Sequence, residues 1–195
     1  MTIKTFDKLI KDVRDCRECV PHLPMGPRPV VQLSKNAKIL IAGQAPGRLV
    51  HETGIPFNDP SGNRLRDWLG VDKETFYDDQ KIALLPMGFC FPGTGKSGDH
   101  PLRPECAKKW RPSLLSELNG IELTLIIGQY AINWHLGKER KKNLTETVRA
   151  CEEYGPNKMV LPHPSPRNNI WMKKNPWFEK DVLPILKKRV NDILY

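Results

Sequence analysis

Short apolar runs that alternate with helical patterns constrain the fold of this chain most strongly. Runs with polar flanks predict four strands, at residues 38–43, 81–86, 122–127 and 158–161. Helical patterns flank and separate them, at residues 3–15, 61–69, 104–118, 129–136, 144–152 and 176–194. Ser61 is expected to cap the second helix and Gly70 to end it. This alternation predicts an α/β fold with three layers, αβα, around a central four-stranded parallel sheet.

Two loop segments follow the first and the last of these predicted strands. Gly43-Gln44-Ala45-Pro46-Gly47 has the glycines and the proline of a tight turn, whose amides can come close to a ligand. His163-Pro164-Ser165-Pro166 places an imidazole in a stiff loop bounded by prolines. Ligands of open parallel sheets bind beyond the carboxyl ends of the strands. We therefore expect the two segments to form opposite sides of one cleft.

The cysteines fall into two pairs and a single residue. Cys16 and Cys19 form a CxxC pair, Cys90 and Cys106 lie farther along the chain, and Cys151 stands alone in a helical pattern. Disulfides are rare in a reducing compartment, so four thiolates in two pairs favour a zinc site or a 4Fe-4S cluster. Buried thiols without a metal are the alternative, and Cys151 is expected in the core.

The charge balance favours a polyanionic partner. Against 22 Asp and Glu residues stand 31 Lys and Arg residues, a net charge of +9, and nucleic acid is the first candidate for such a chain. The 195 residues fit a single domain, 1–195. No apolar run approaches the roughly 18 residues of a membrane span, and no signal-peptide pattern opens the chain. We expect a cytoplasmic monomer with no membrane partner.

A run of basic and aromatic residues follows the His163 loop. Its members are Arg167, Asn168, Trp171, Lys173, Lys174 and Trp177. Interleaved basic and aromatic side chains are typical of surfaces that follow a nucleic-acid backbone. Tryptophans can also pack a helix against a sheet, and we expect that role for both of them.

Several segments, taken in order, resemble the uracil-DNA glycosylase superfamily, nearest to its iron-sulfur branch in bacteria and archaea and to the broad group beside it. They are Gly43 to Gly47, Thr53-Gly54-Ile55-Pro56-Phe57, Ser61-Gly62-Asn63-Arg64-Leu65, His163 to Pro166, and the two cysteine pairs. The resemblance covers nearly the whole chain. It implies a four-stranded parallel sheet between helices, and an enzyme of base excision repair that extrudes a nucleotide from DNA and breaks its N-glycosidic bond.

The resemblance also implies roles for individual residues. His163 would stabilise the departing base, Gln44 would orient a water, and Phe57 would stack on the extruded base. The residues expected to contact the base or the DNA are Gly43, Ala45, Pro46, Gly47, Ser165, Arg167 and Asn168. An architectural 4Fe-4S cluster, with zinc or no metal as alternatives, would be held by Cys16, Cys19, Cys90 and Cys106.

Departures from the family pattern leave the identity of the base open. An Asn at the end of the second strand reads the uracil edge in the family, and Pro86 stands at that position here. The turn has Gln44 where the near branch often has Glu, and the nearest carboxylates are Glu52 and Asp59. We expect excision of uracil or another deaminated or damaged base. The alternative is a non-catalytic, nucleic-acid-binding member of the same fold.

Overall fold

A computed structural model describes residues 5–96 and 98–195 of the chain. The strands of this part are β1 (Ile39–Ala42), β2 (Ile82–Leu84), β3 (Thr94–Gly95), β4 (Gly98–Asp99), β5 (Leu123–Ile127) and β6 (Lys158–Leu161). One sheet has the order β2-β1-β5-β6, and every neighbouring pair in it is parallel. The strands β3 and β4 form a separate antiparallel hairpin. The predicted four-stranded parallel sheet is therefore confirmed.

Helices cover both faces of the sheet. The α-helices are α1 (Phe6–Arg14), α2 (Arg48–Thr53), α3 (Pro60–Leu69), α4 (Lys73–Tyr77), α5 (Glu105–Leu115), α6 (Gly128–His135), α7 (Leu144–Arg149), α8 (Asn169–Lys174) and α9 (Leu183–Leu194). On one face, α1 and α5 pack on Leu40 of β1. On the other face, α3 and α9 pack on the neighbouring Ile39 and Ile41. Alternate residues of a strand thus feed two cores, which gives the three layers αβα.

The start of α3 differs from the sequence-based prediction. Asp59, not Ser61, caps the helix, because its carboxylate accepts a hydrogen bond from the Gly62 amide at 2.8 Å. Pro60 takes the first helical position, where a missing N–H costs nothing, and Ser61 is buried in the first turn. Gly70 ends the helix with φ = 70°, as predicted.

Other helix boundaries also differ from the sequence-based prediction. The short helices α2, α4 and α8 lie where no helix was predicted, and a π-helical turn at Phe178–Val182 precedes α9. The first predicted helix begins at Phe6, after the cap Thr5, while residues 3 and 4 lie outside the described part.

Trp171 and Trp177 pack edge-on against Phe178, which agrees with a packing role for both tryptophans.

Within the described residues, a membrane-spanning helix is absent, since none is both long and apolar enough.

Candidate functional site

A cavity of about 450 Å³ opens beyond the carboxyl ends of β1 and β6. The turn after β1 and the His163 loop after β6 both line it, so the two segments do lie together. The predicted site residues outside the cysteine set all line this cavity: Gly43, Gln44, Ala45, Pro46, Gly47, Phe57, His163, Ser165, Arg167 and Asn168. Small-molecule sites typically span about 300–1,000 Å³, so the cavity has the size of a small-molecule site.

The turn after β1 is held by the chain that leaves β2. The Met87 amide donates to the Gly43 carbonyl at 2.9 Å, and the Gly88 amide donates to the Gln44 carbonyl at 2.8 Å. These bonds extend the β1–β2 pairing past the end of the sheet. The backbone of the turn is therefore fixed, while the Gln44 side chain has no hydrogen-bond partner among the described residues.

Phe57 has a backbone conformation that a phenylalanine rarely adopts. Its φ of 54° lies in the left-handed region, which costs on the order of 1 kcal/mol or more for a residue with a side chain. The absence of side chains at two glycines makes room for it. A Cβ at Gly62 would overlap the Phe57 carbonyl, and a Cβ at Gly43 would lie 3.3 Å from the ring. The ring also meets Phe76 edge-on at 6.1 Å. The fold thus holds an aromatic face at the cavity wall.

The imidazole of His163 is held neutral with a defined tautomer. Burial lowers its pKa below the ordinary value of 6.5, although the negative charges of Asp59 and Asp99 act in the opposite direction. Its Nδ1 accepts a hydrogen bond from the Ser165 amide at 3.2 Å. A neutral ring that accepts at Nδ1 carries its proton on Nε2. His163 can therefore donate one hydrogen bond to a ligand.

Hydrogen bonds from Arg64 and Asn168 hold the His163 loop in place. Arg64 of α3 donates to the Ser165 carbonyl at 3.2 Å and to the Asn169 side chain at 2.8 Å. The Asn168 side chain donates to the His163 carbonyl at 2.6 Å. Beyond this loop, Arg167 is exposed at the cavity rim and packs against Gly98 of the hairpin. The cavity rim therefore has an exposed cation beside a hydrogen-bonded loop.

Two carboxylates line the cavity for which sequence reasoning gave no role. The Oδ2 atoms of Asp59 and Asp99 would lie 3.9 Å and 4.0 Å from a Cβ at Gly47. Asp59 had a sequence signal, since it lies two residues after the segment that ends in Phe57. Asp99 had none, because only the β3–β4 hairpin brings it to the cavity. Glu52, the other nearby carboxylate in sequence, instead pairs with Arg48 at 2.8 Å.

The remaining predicted residues meet at a second, smaller cavity. Cys16, Cys19, Cys90 and Cys106 all line this space of about 20 Å³, and all are free thiols. Burial raises the pKa of Cys90 to about 12 and that of Cys106 to about 11. As the side chains are placed, no three His, Cys, Asp or Glu residues of the described ranges form a group that could hold a metal ion. Cys151 is buried in the main core, as expected.

The donor chemistry at this second cavity suits a soft metal. Four sulfur donors from three separate segments converge, which is the ligand type of zinc and iron-sulfur sites. The space holds about one water or ion, so a larger cluster would need the side chains to rotate outward. Gly88 lines this cavity and also donates to the Gln44 carbonyl, so the two cavities adjoin.

Comparison with known proteins gives a matching family model and a similar solved structure. Residues 30–187 match the family model described as the Uracil DNA glycosylase superfamily. A solution NMR structure from Methanosarcina acetivorans, named as a candidate uracil DNA glycosylase, is similar with a TM-score of 0.44 and 17% identity. That match covers 82% of this chain and 94% of the other.

Proposed function

Since this chain belongs to the uracil-DNA glycosylase superfamily, we propose that it excises uracil or another deaminated or damaged base from DNA. The observation that carries the proposal is the cavity of about 450 Å³, in which the turn at Gly43 to Gly47 faces the His163 loop. A base must leave the duplex to reach such a site, and the cavity has room for one. The reaction is hydrolysis of the N-glycosidic bond.

His163 serves the departing base in this proposal. When the bond between the sugar C1′ and the base nitrogen breaks, its electron pair leaves with the base, which becomes an anion. The Nε2–H of a neutral His163 donates a hydrogen bond to a base oxygen and spreads this charge. Such donors act most strongly where charge develops, in a site that excludes water. The Ser165 amide keeps the ring in the required tautomer.

Asp59 and Gln44 serve the sugar side. The sugar gains positive charge as the bond breaks. The oxygen of a water molecule then bonds to C1′, and a proton of that water passes to a general base of the protein. Asp59 is a carboxylate on the cavity wall, fixed through its Oδ1 to the Gly62 amide. Its Oδ2 can accept the proton and stabilise the positive sugar. Gln44 can orient the water through its amide carbonyl.

The aromatic wall and the basic rim hold the substrate. Phe57 presents a ring that suits stacking on any base. Ser165, Arg167 and Asn168 line the cavity and would contact the DNA backbone in this proposal, with Arg167 as an exposed cation for a phosphate. Exposed Lys173 and Lys174 extend the positive surface along α8.

We propose that the four cysteines of the second cavity hold a 4Fe-4S cluster with an architectural role. The cluster would tie the CxxC segment after α1 to the loop after β2 and to α5. Zinc is the alternative, because it accepts the same four thiolates. Absorbance near 400 nm with four irons per chain supports the cluster, whereas a colourless protein with one zinc contradicts it.

One observation favours a second candidate, a DNA-binding protein that has lost catalysis. Pro86 lines the cavity at the position where the family has its base-reading Asn, and proline has neither a side-chain amide nor a backbone N–H to read a base edge. This candidate predicts binding with a steep salt dependence and no base release.

Oligonucleotides that carry uracil, hypoxanthine or xanthine, single-stranded and in mismatched duplexes, test the proposal. Incubation followed by alkaline cleavage reports abasic sites. We expect strand cleavage at one or more of these bases, with a matched unmodified strand left intact. A wild-type protein that binds every strand but releases no base contradicts excision and supports the second candidate.

A further inference from the structure

A fully buried arginine lies behind the loop that leaves β2. Arg111 of α5 has no exposed surface. Its Nη1 donates to the carbonyls of Leu85 and Pro86 at 2.8 Å and 2.9 Å, and its Nη2 lies 2.7 Å from Nε2 of His135. Burial lowers the pKa of His135 to about 4, so its ring is neutral and accepts from Arg111. The Arg111 Nε has no partner.

Among the described residues, no carboxylate pairs with this charge. The salt bridges of the described residues do not include Arg111. Burial alone lowers its pKa to about 10, so it remains a cation at neutral pH. The Trp134 ring lies 5.8 Å from the guanidinium carbon, but a buried charge without a carboxylate partner is still expensive, and an apolar residue of similar volume would often serve the fold as well or better. Stability alone therefore explains this residue poorly.

The charge lies one residue away from the cavity of the proposed reaction. Pro86, whose carbonyl Arg111 holds, also lines that cavity. The next two residues, Met87 and Gly88, donate to the turn at Gly43 and Gln44. Arg111 thus binds the same short segment that lines the cavity through Pro86 and holds the turn through Met87 and Gly88.

We propose that Arg111 is a positioning residue that fixes the segment after β2 and whose buried positive charge stabilises the base as it leaves as an anion. The inference rests on the proposed glycosylase function. A charge that is fixed in a site of low dielectric acts over several ångströms without solvent reorganisation. It would add to the single hydrogen bond that His163 donates to the base.

The leaving base provides a test that a merely structural role would not affect. Single-turnover release of uracil and of 5-fluorouracil is measured for the wild type and for Arg111→Met. Because 5-fluorouracil is the more acidic leaving base, its transition state depends less on outside stabilisation. We expect the variant to lose about 100-fold for uracil and no more than about tenfold for 5-fluorouracil. Lys108→Met, which removes an exposed cation from the same helix, should leave both rates unchanged.

Arg111→Gln repeats the comparison in case Arg111→Met does not fold, since Gln keeps an amide donor for the carbonyls while it removes the charge. Thermal unfolding followed by circular dichroism verifies that each variant folds. Equal losses for the two bases, in whichever variant folds, overturn the inference while the glycosylase proposal stands. If the wild type releases neither of these bases, nor hypoxanthine or xanthine, the glycosylase proposal itself fails, and this inference fails with it. A wild type that releases only hypoxanthine or xanthine leaves the glycosylase proposal standing, and the variants are then compared on that base: an unchanged rate in Arg111→Met and Arg111→Gln overturns the inference.

Discussion

Replacement of His163 by alanine tests the chemistry of the site most directly. The structure leaves this ring one donor for a ligand, because Nδ1 is occupied by the Ser165 amide. Loss of one such donor costs about 100- to 1,000-fold in rate, equivalent to about 3 to 4 kcal/mol of transition-state stabilisation. DNA affinity should change little, because the rim cation Arg167 and the rest of the loop remain.

The assay is single-turnover release of the base, with enzyme in excess over a labelled oligonucleotide, alongside a filter-binding measurement of DNA affinity. His22→Ala serves as the matched control, since His22 is exposed and lines neither cavity. We expect wild-type rates for the control and a slow but measurable rate for His163→Ala. Full activity in His163→Ala would refute the assignment.

The pH dependence separates a neutral donor from a charged one. Burial lowers the pKa of His163 below 6.5, so the ring is already neutral at neutral pH. The contribution of the ring to the rate should therefore be constant as the pH rises from 6.5 to 8. It should decline only as the pH falls through the lowered pKa. A wild-type rate that falls as the pH rises from 6 to 8 would mean that the charged imidazolium is the donor.

Other substitutions give sharp outcomes. Asp59→Asn keeps a good helix cap but removes the charge, so we expect at least a tenfold slower release with an unchanged melting temperature; an unchanged rate would exclude Asp59 from the chemistry. Gly62→Ala places a Cβ on the Phe57 carbonyl, and we expect about 1–3 kcal/mol of lost stability in denaturant unfolding; wild-type stability would contradict the close approach. Cys90→Ser should reduce bound metal and lower the melting temperature, and unchanged metal content by mass spectrometry would rule out this ligand.

The sheet and the cleft were predictable because their signals are local. Each strand is a short apolar run, and the residues that line the cavity from Gly43 to Gly47 follow β1 directly. That Asp59 and not Ser61 caps α3 was harder to predict, because both residue types cap helices. Pro60 favours the first helical position, which leaves Asp59 as the cap. Boundaries of short helices such as α2 depend on tertiary packing, which a single sequence does not display.

Other parts of the site depend on contacts between distant segments. Asp99 reaches the cavity only through the β3–β4 hairpin. Arg111 follows Lys108, Lys109 and Trp110 in a basic stretch of α5, so its sequence context is typical of an exposed helix face. Its burial follows from backbone carbonyls some 25 residues earlier that accept its hydrogen bonds. A charged residue that is buried because it donates hydrogen bonds to backbone carbonyls far away in sequence has no local sequence pattern that reveals its burial.

Gly88 connects the cysteine cavity with the turn after β1. One face of this residue borders the thiols, and its amide grips the carbonyl of Gln44. A shift of the loop that carries Cys90 would therefore be transmitted to the turn through the hydrogen bonds from Met87 to Gly43 and from Gly88 to Gln44. Oxidation or loss of these thiols should therefore displace the proposed site residues of the turn before the whole protein unfolds.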